Sequence, residues 1–227
     1  METQELKKHI EEIIDLTFKK VQYSFDYQKE NVKPSGSAQE CLTRLVFPSY
    51  ANEDKTRISE QELRFVFVEA FNEYCKEKKL PLFYSVETPT RDKYSGFSKT
   101  KDSQSDPRQD DNGRSAEFDM VIFELEDNIL KRRCLIEFKA NNASELEHKK
   151  DFVKLNTPKE CENSDGEKDV MFRYFIEILG SYNKGTISSL QNKIKESKGN
   201  NTIFICYSLN KDKKDKGERI EKKIFEK

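Results

Sequence analysis

The chain has 227 residues, a net charge of −1, 37% charged residues and 34% hydrophobic residues. That length supports one domain with additions, and the balance excludes a globally basic nucleic-acid binder while leaving room for a local basic groove. No apolar run approaches the roughly 20 residues that cross a bilayer, and the first residues lead into an amphipathic pattern instead of an apolar signal core, so a cytoplasmic protein without membrane contact is expected.

Leu6, Ile10, Ile13, Ile14 and Val21 recur at helical spacing and predict a helix over 4–22. Tyr23, Phe25 and Tyr27 then alternate as a strand would, and packing is expected of them ahead of base stacking. Lys33-Pro34-Ser35-Gly36-Ser37 reads as a linker, followed by a short helix over 38–46 that ends before Pro48. Residues 1–55 together are expected to be an N-terminal helical extension used for packing or dimerisation. Ser59 and Glu62 form a Ser-x-x-Glu capping box that opens a helix to about Lys79. Leu63, Phe67, Ala70, Phe71 and Tyr74 give that helix an apolar face, Phe65 and Val68 widen it, and Glu62, Glu69 and Glu73 run beside it.

Leu82 to Thr88 reads as a strand, and 91–115, with few apolar residues beyond Tyr94 and Phe97, as a flexible loop. Ala116 to Glu124 and residues 132–140 are two further strands, joined as an antiparallel hairpin by a turn at Glu126-Asp127-Asn128. Ser144 caps a helix to about Leu155, with His148, Lys149 and Lys150 expected on its surface. Phe172, Phe175, Ile176 and Leu179 fall at helical spacing before Gly180, a further helix is predicted over 186–197, and Thr202 to Leu209 is the last strand. The tail over 211–227 mixes both charges and is expected to be frayed or weakly helical. The order predicts an α/β sandwich with a mixed sheet over 56–210, its last strand parallel to the third through a helical crossover. The scattered cysteines, Cys41, Cys75, Cys134, Cys161 and Cys206, have no zinc spacing and are expected as reduced thiols.

The chemistry concentrates in Cys134-Leu135-Ile136-Glu137-Phe138-Lys139-Ala140. Strand alternation puts Glu137 and Lys139 on one side of an otherwise apolar run. Buried charges are costly unless partnered, and chains that hold them often do so at a working site. Other Glu-x-Lys triplets, such as those at Glu5, Glu77 and Glu147, lie in polar or helical settings. Asp119 lies on the preceding strand, also among apolar residues. If the two strands pair, both acids point to one face, roughly 5 Å apart, within reach of a shared Mg2+. Each residue also has a reading without catalysis: an ion pair for Glu137 and Lys139, an exposed acid for Asp119, a helix cap for Glu62 and a strand-end acid for Glu87.

In order and context these segments resemble the PD-(D/E)XK nuclease superfamily. The matching parts are the helix around Glu62, the strand Leu82 to Thr88, Asp119, and Glu137-x-Lys139, spanning roughly residues 57–209. Phe118 stands where the superfamily's name has proline, and the long 91–115 segment and the extra helices after Leu155 depart from its core. The resemblance implies a restriction-endonuclease-like three-layer sandwich, with a mixed central sheet flanked by helices. It implies hydrolysis of phosphodiester bonds in nucleic acid, DNA foremost, with Mg2+ or a substituting Mn2+. Asp119 and Glu137 are implied as metal ligands, with the Ile136 or Phe138 carbonyl as a further oxygen. Lys139 would orient or help deprotonate the attacking water, or neutralise charge on the phosphate. Glu62 would be the helical carboxylate, with Glu69 its substitute and Glu87 a further acid. A homodimer and a setting in anti-phage defence are implied at family level only. The alternative is an inactive nuclease-fold module that binds nucleic acid or a partner in a defence or repair system. The chain has no helix-turn-helix or zinc-finger signature.

Overall fold

The structure is a computed structural model that describes residues 1–30, 42–48, 58–97, 106–140, 144–179, 184–196, 202–208 and 221–225. Its helices are α1 (Thr3–Glu30), α2 (Glu60–Lys78), α3 (Glu145–Asn156) and α4 (Lys184–Glu196). Its strands are β1 (Leu82–Ser95), β2 (Arg108–Gln109), β3 (Arg114–Glu126), β4 (Ile129–Ala140), β5 (Phe172–Leu179), β6 (Thr202–Ser208) and β7 (Glu221–Phe225). They form one seven-stranded sheet in the order β2-β1-β3-β4-β5-β6-β7. β1, β3 and β4 pair antiparallel, β4, β5 and β6 pair parallel, and β7 returns antiparallel on β6.

Two apolar clusters make the layers. On one face Leu6, Ile10 and Ile14 of α1 and Leu63, Phe67 and Phe71 of α2 pack with Met120, Ile122, Ile136, Phe138 and Tyr174. On the other, Phe152 and Leu155 of α3 and Leu190 and Ile194 of α4 pack with Val121, Leu135, Phe175 and Phe204. The chain is therefore α/β, a mixed sheet between two helical layers. No helix among the described residues is long and apolar enough to cross a membrane.

The capping box at Ser59, the helix after Ser144 and the β3–β4 hairpin form as the sequence predicts. Asp127 (φ 51°) and Asn128 (φ 63°) both take the left-handed conformation that a two-residue hairpin turn requires. Cys75, Cys134, Cys161 and Cys206 are free and buried, while Cys41, the linker at 33–37 and most of the short helix predicted over 38–46 lie outside the described residues. Residues 42–48, the described end of that prediction, are not helical.

Several elements differ from expectation. Helix α1 runs on through Tyr23, Phe25 and Tyr27 to Glu30, because packing of Phe25 against Phe47 outweighs local alternation. Phe172 to Leu179 is a strand, not a helix: β5 is parallel and central, so seven of its eight residues are buried and no alternation marks it. Consequently β5 lies between β4 and the last predicted strand, β6. Part of the charged tail, Glu221–Phe225, is strand β7, paired with the otherwise open edge of β6.

Of the loop expected over 91–115, residues 91–95 instead end β1 and 108–109 form β2, while 98–105 lie outside the described residues. The β1–β3 register shifts between Pro89 and Lys93, which frees backbone amides. Glu160, fully buried in the short 3-10 turn Pro158–Cys161, accepts hydrogen bonds from the Arg91 amide (2.8 Å), the Asp92 amide (2.9 Å) and the Tyr94 hydroxyl (2.9 Å). Arg91 adds a bidentate pair with Asp169 at 2.7 and 2.6 Å. Polar residues thus hold this strand where apolar ones are lacking.

Glu160→Ala, which strands these buried donors, is expected to lower unfolding free energy by about 3 kcal/mol in urea titration. Burial pushes the Cys75 thiol up to about 11 and raises Cys161 in the same direction. Unfolded thiols ionise near pH ~8.5, so this stabilisation is complete below that pH and is lost as pH climbs toward about 11. Melting temperature is expected to decline over that window, and less steeply in Cys75→Ala.

Candidate functional site

The β3–β4 ladder ends at the pair Met120–Ile136, and Asp119 is the next residue along β3. On its other side β1 pairs Val86 with Met120 and Thr88 with Phe118, which leaves Glu87 opposite Asp119 at φ 47°. A glutamate holds that left-handed conformation only where its surroundings impose it. Phe118 and Val121 both lie in the cluster under α3, whereas Met120 lies in the opposite one. The two-residue alternation therefore slips at Asp119, and its carboxylate leaves the pleat expected from sequence. Asp119 Oδ2 instead accepts the Phe138 N–H at 2.7 Å, in the opening between β3 and β4. Arg64 of α2 stands 3.5 Å from Asp119 Oδ1 and 3.3 Å from Glu87 Oε1.

Glu137 and Lys139 meet the inner face of α3. Lys139 Nζ lies 2.8 Å from Asp151 Oδ2 and 3.4 Å from Glu60 Oε1 at the start of α2. Lys139 also donates to the Phe138 carbonyl at 3.2 Å. Glu137 Oε1 lies 2.5 Å from Lys154 Nζ, which is 2.9 Å from Asp151 Oδ1 and donates to the Glu117 carbonyl at 2.7 Å. Three turns of α3 build this face, since His148, Asp151 and Lys154 follow at i, i+3 and i+6 from the Ser144 cap. Four carboxylates (Glu60, Asp119, Glu137, Asp151) thus surround three cations (Arg64, Lys139, Lys154). Glu137 is sealed at 1% exposure, and the network opens toward solvent at Asp119 (15%) and Glu60 (35%).

The electrostatics follow from that crowding. Burial raises the Glu137 carboxyl well above the usual range, and the Asp151 and Asp119 charges add to the rise. Burial pushes Asp151 upward too, but Lys154 and Lys139 outweigh it and hold its carboxyl below the usual range. For Lys139 and Lys154 burial alone would lower the ammonium, yet the acids around each prevail and raise it. Glu137 is therefore the acid readiest to take a proton, and both lysines stay charged.

Asp119, Glu137 and Lys139 are brought together. Glu62 is spent differently: its Oε2 accepts from the Ser59 amide at 2.7 Å and from the Ser59 hydroxyl, closing the capping box. Glu60, two residues earlier, is the helical carboxylate that reaches Lys139. Glu69 and Glu73 hold the buried Lys20 of α1, at 3.1 and 2.9 Å. Glu87 is exposed and meets Arg64. His148, expected on the surface, is buried: Nε2 lies 3.0 Å from Glu177 Oε2 and Nδ1 2.9 Å from the Ser144 carbonyl, with Phe152 and Phe175 against the ring. Glu177 sits beside Lys139 in the β4–β5 register. Sequence reasoning missed Glu60, Arg64, Asp151 and Lys154. The signal for the last two was polar residues on the apolar face of α3, beside Phe152 and Leu155.

Among the described residues no three acidic, histidine or cysteine side chains gather as a metal-ligand group as they stand. Lysine ammoniums lie between the acids instead. The donor chemistry nonetheless fits a hard divalent cation. The donors are carboxylate and carbonyl oxygens, the acids outnumber the cations, and buried Glu137 Oε1 and Asp151 Oδ2 make close ion pairs without an aligned hydrogen bond.

Lys139→Met leaves Asp151 with one fewer counter-ion and is expected to destabilise the fold by about 3 kcal/mol in urea titration. Adding Asp151→Leu is expected to recover part of that loss, a coupling that a double-mutant cycle measures directly.

The chain matches no protein-family model, no curated protein and no solved structure.

Proposed function

We propose that the chain is a metal-dependent nuclease of the PD-(D/E)XK type, hydrolysing phosphodiester bonds in nucleic acid, with DNA as the foremost substrate. The observation that carries this reading is the acid pair at the open end of the β3–β4 ladder. Asp119 and Glu137 flank it, Lys139 follows, and the acids around them outnumber the cations. The element order supports it as well. Helix α2, the antiparallel strands β1, β3 and β4, the crossing helix α3 and the parallel strand β5 run as the restriction-endonuclease-like core does. A seven-charge network inside a sheet is an expensive way to gain stability, which favours a working role.

Asp119 and Glu137 would hold Mg2+ or Mn2+, with a β4 backbone carbonyl as a further oxygen donor. Bound there, the ion supplies polarisation of the scissile phosphate and a lowered pKa for a water. Lys139 is held protonated by its acid neighbours. Its part is therefore to stabilise charge on the phosphate and orient the water, and not to abstract a proton. Arg64, between Glu87 and Asp119, would orient the Asp119 carboxylate for a cation. Glu60 and Asp119, the more open acids, mark the side from which substrate enters.

One observation favours a second reading, a nuclease-fold module without catalysis: each acid of the network already has a cationic or amide partner. One assay separates the two. Purified protein is incubated with plasmid, single-stranded DNA and RNA in Mg2+ or Mn2+, beside Asp119→Ala, Glu137→Ala and Lys139→Ala, each checked for folding by circular dichroism. Cutting is expected to fall by about 100-fold or more in every folded variant. Equal cutting by wild type and variants, or none by wild type, overturns the nuclease reading.

A further inference from the structure

Lys154 has no role in the reading above, yet it sits at the centre of the site. Its ammonium touches Glu137 Oε1 at 2.5 Å, Asp151 Oδ1 at 2.9 Å and the Glu117 carbonyl at 2.7 Å. That is a cage of three oxygens from β4, α3 and β3, the donor set a hard divalent ion prefers. The amine is not on the surface by chance: its side chain is 7% exposed and lies 5.6 Å above the Phe118 ring. The fit of ammonium to cage is imperfect, because Glu137 Oε1 has the ion pair but no aligned hydrogen bond. On the other side of Asp151, Oδ2 is in the same condition against Lys139. The Lys154 ammonium is thus shared between Glu137 and Asp151, the latter also meeting Lys139, while Asp119 adds its field to Glu137.

We propose that the Lys154 ammonium is a displaceable occupant of the site's cation position, and that a divalent ion and Lys154 compete for the oxygens of Glu137 and Asp151. Asp151 then belongs to the metal site as a third acid, supplied by α3. This deepens the nuclease reading and rests on it. The competition has a direct consequence. A cage already neutralised by its own amine binds a divalent ion more weakly than the bare acids would, since the ion must first move the amine. Lys154, once released, adds a free cation beside a site that takes a polyanion.

The test uses the full chain, with Mn2+ and Mg2+ as the probes and binding and stability as readouts. Isothermal titration calorimetry is run on wild type, Lys154→Met and Glu137→Gln, and each is melted with and without the ion. Lys154→Met keeps the length of the side chain and removes its charge. It is expected to bind the ion on the order of tenfold more tightly than wild type, at the low end of what a close charge pair's coupling gives. It is also expected to melt lower than wild type without metal and to gain more from it. Glu137→Gln is expected to lose the binding. Unchanged or weaker affinity in Lys154→Met, with binding intact in wild type, overturns the proposal and leaves the nuclease reading standing. Absence of binding in both proteins defeats the nuclease reading itself. Should Lys154→Met not fold, wild type alone decides. Acetylation of Lys154 by acetic anhydride, followed by mass spectrometry, is expected to accelerate severalfold at saturating Mn2+, with exposed Lys8 as the internal reference. An unchanged Lys154 rate overturns the displacement.

Discussion

Charges buried inside a sheet survive only if each finds a counter-charge from a neighbouring layer, and that requirement organises this molecule. Glu137 and Lys139 project from the part of β4 where their neighbours Leu135, Ile136 and Phe138 are apolar and buried. Glu137 is cut off from water, and Lys139 is nearly so. Helix α3 answers with Asp151 and Lys154, and helix α2 with Glu60 and Arg64. The network ties β3 and β4 to both helical layers, so the position of each helix along its axis is set by charge as much as by packing. Such a network adds little net stability over a well-packed apolar core, but losing a single member is severe. It defines one arrangement and penalises the alternatives.

The same site is where the sheet departs from regular geometry. The pleat slips at Asp119, and Glu87, opposite it, is held in a left-handed conformation. A regular ladder at this point would bury Asp119 in the apolar cluster under α3, where Phe118 now lies. The irregularity exchanges the two: the aromatic ring goes inward, and the carboxylate turns to the Phe138 amide and Arg64. Further along β1, the Glu160 carboxylate and the Arg91–Asp169 pair anchor the strand beyond its register shift. Strain near the ladder opening and polar anchoring beyond it hold the opening in place.

Local signals carried much of the architecture. The Ser59 and Ser144 caps, the Asp127-Asn128 turn and the β3–β4 hairpin are short-range features that form as expected, and so does the apolar face of α2 except that Phe65, expected to widen it, is exposed. The errors have two causes. β5 is buried on both sides, so its residues show no period that separates strand from helix. β7 and the distal half of β1 are polar strands, held by pairing with β6 and β3 and by the Glu160 clasp, and composition alone reads them as coil.

The site divides along the same line. Strand alternation and an apolar setting were enough to single out Asp119, Glu137 and Lys139 from a chain crowded with charge. Which carboxylate helix α2 contributes was not legible, because Glu60 and Glu62 are both polar residues in a first helical turn. The local capping box turns Glu62 back to Ser59, but only packing sends Glu60 forward to Lys139. Asp151, Lys154 and the buried His148–Glu177 pair were equally hidden, since a charged residue on a helix reads as solvated until a sheet is laid against it. The sequence by itself determined the acids and the amine of β3 and β4 and the helices α2 and α3 that flank these strands in the chain. The tertiary structure alone decided their partners, because burial and cross-layer distance are properties of the packed layers and not of any one segment.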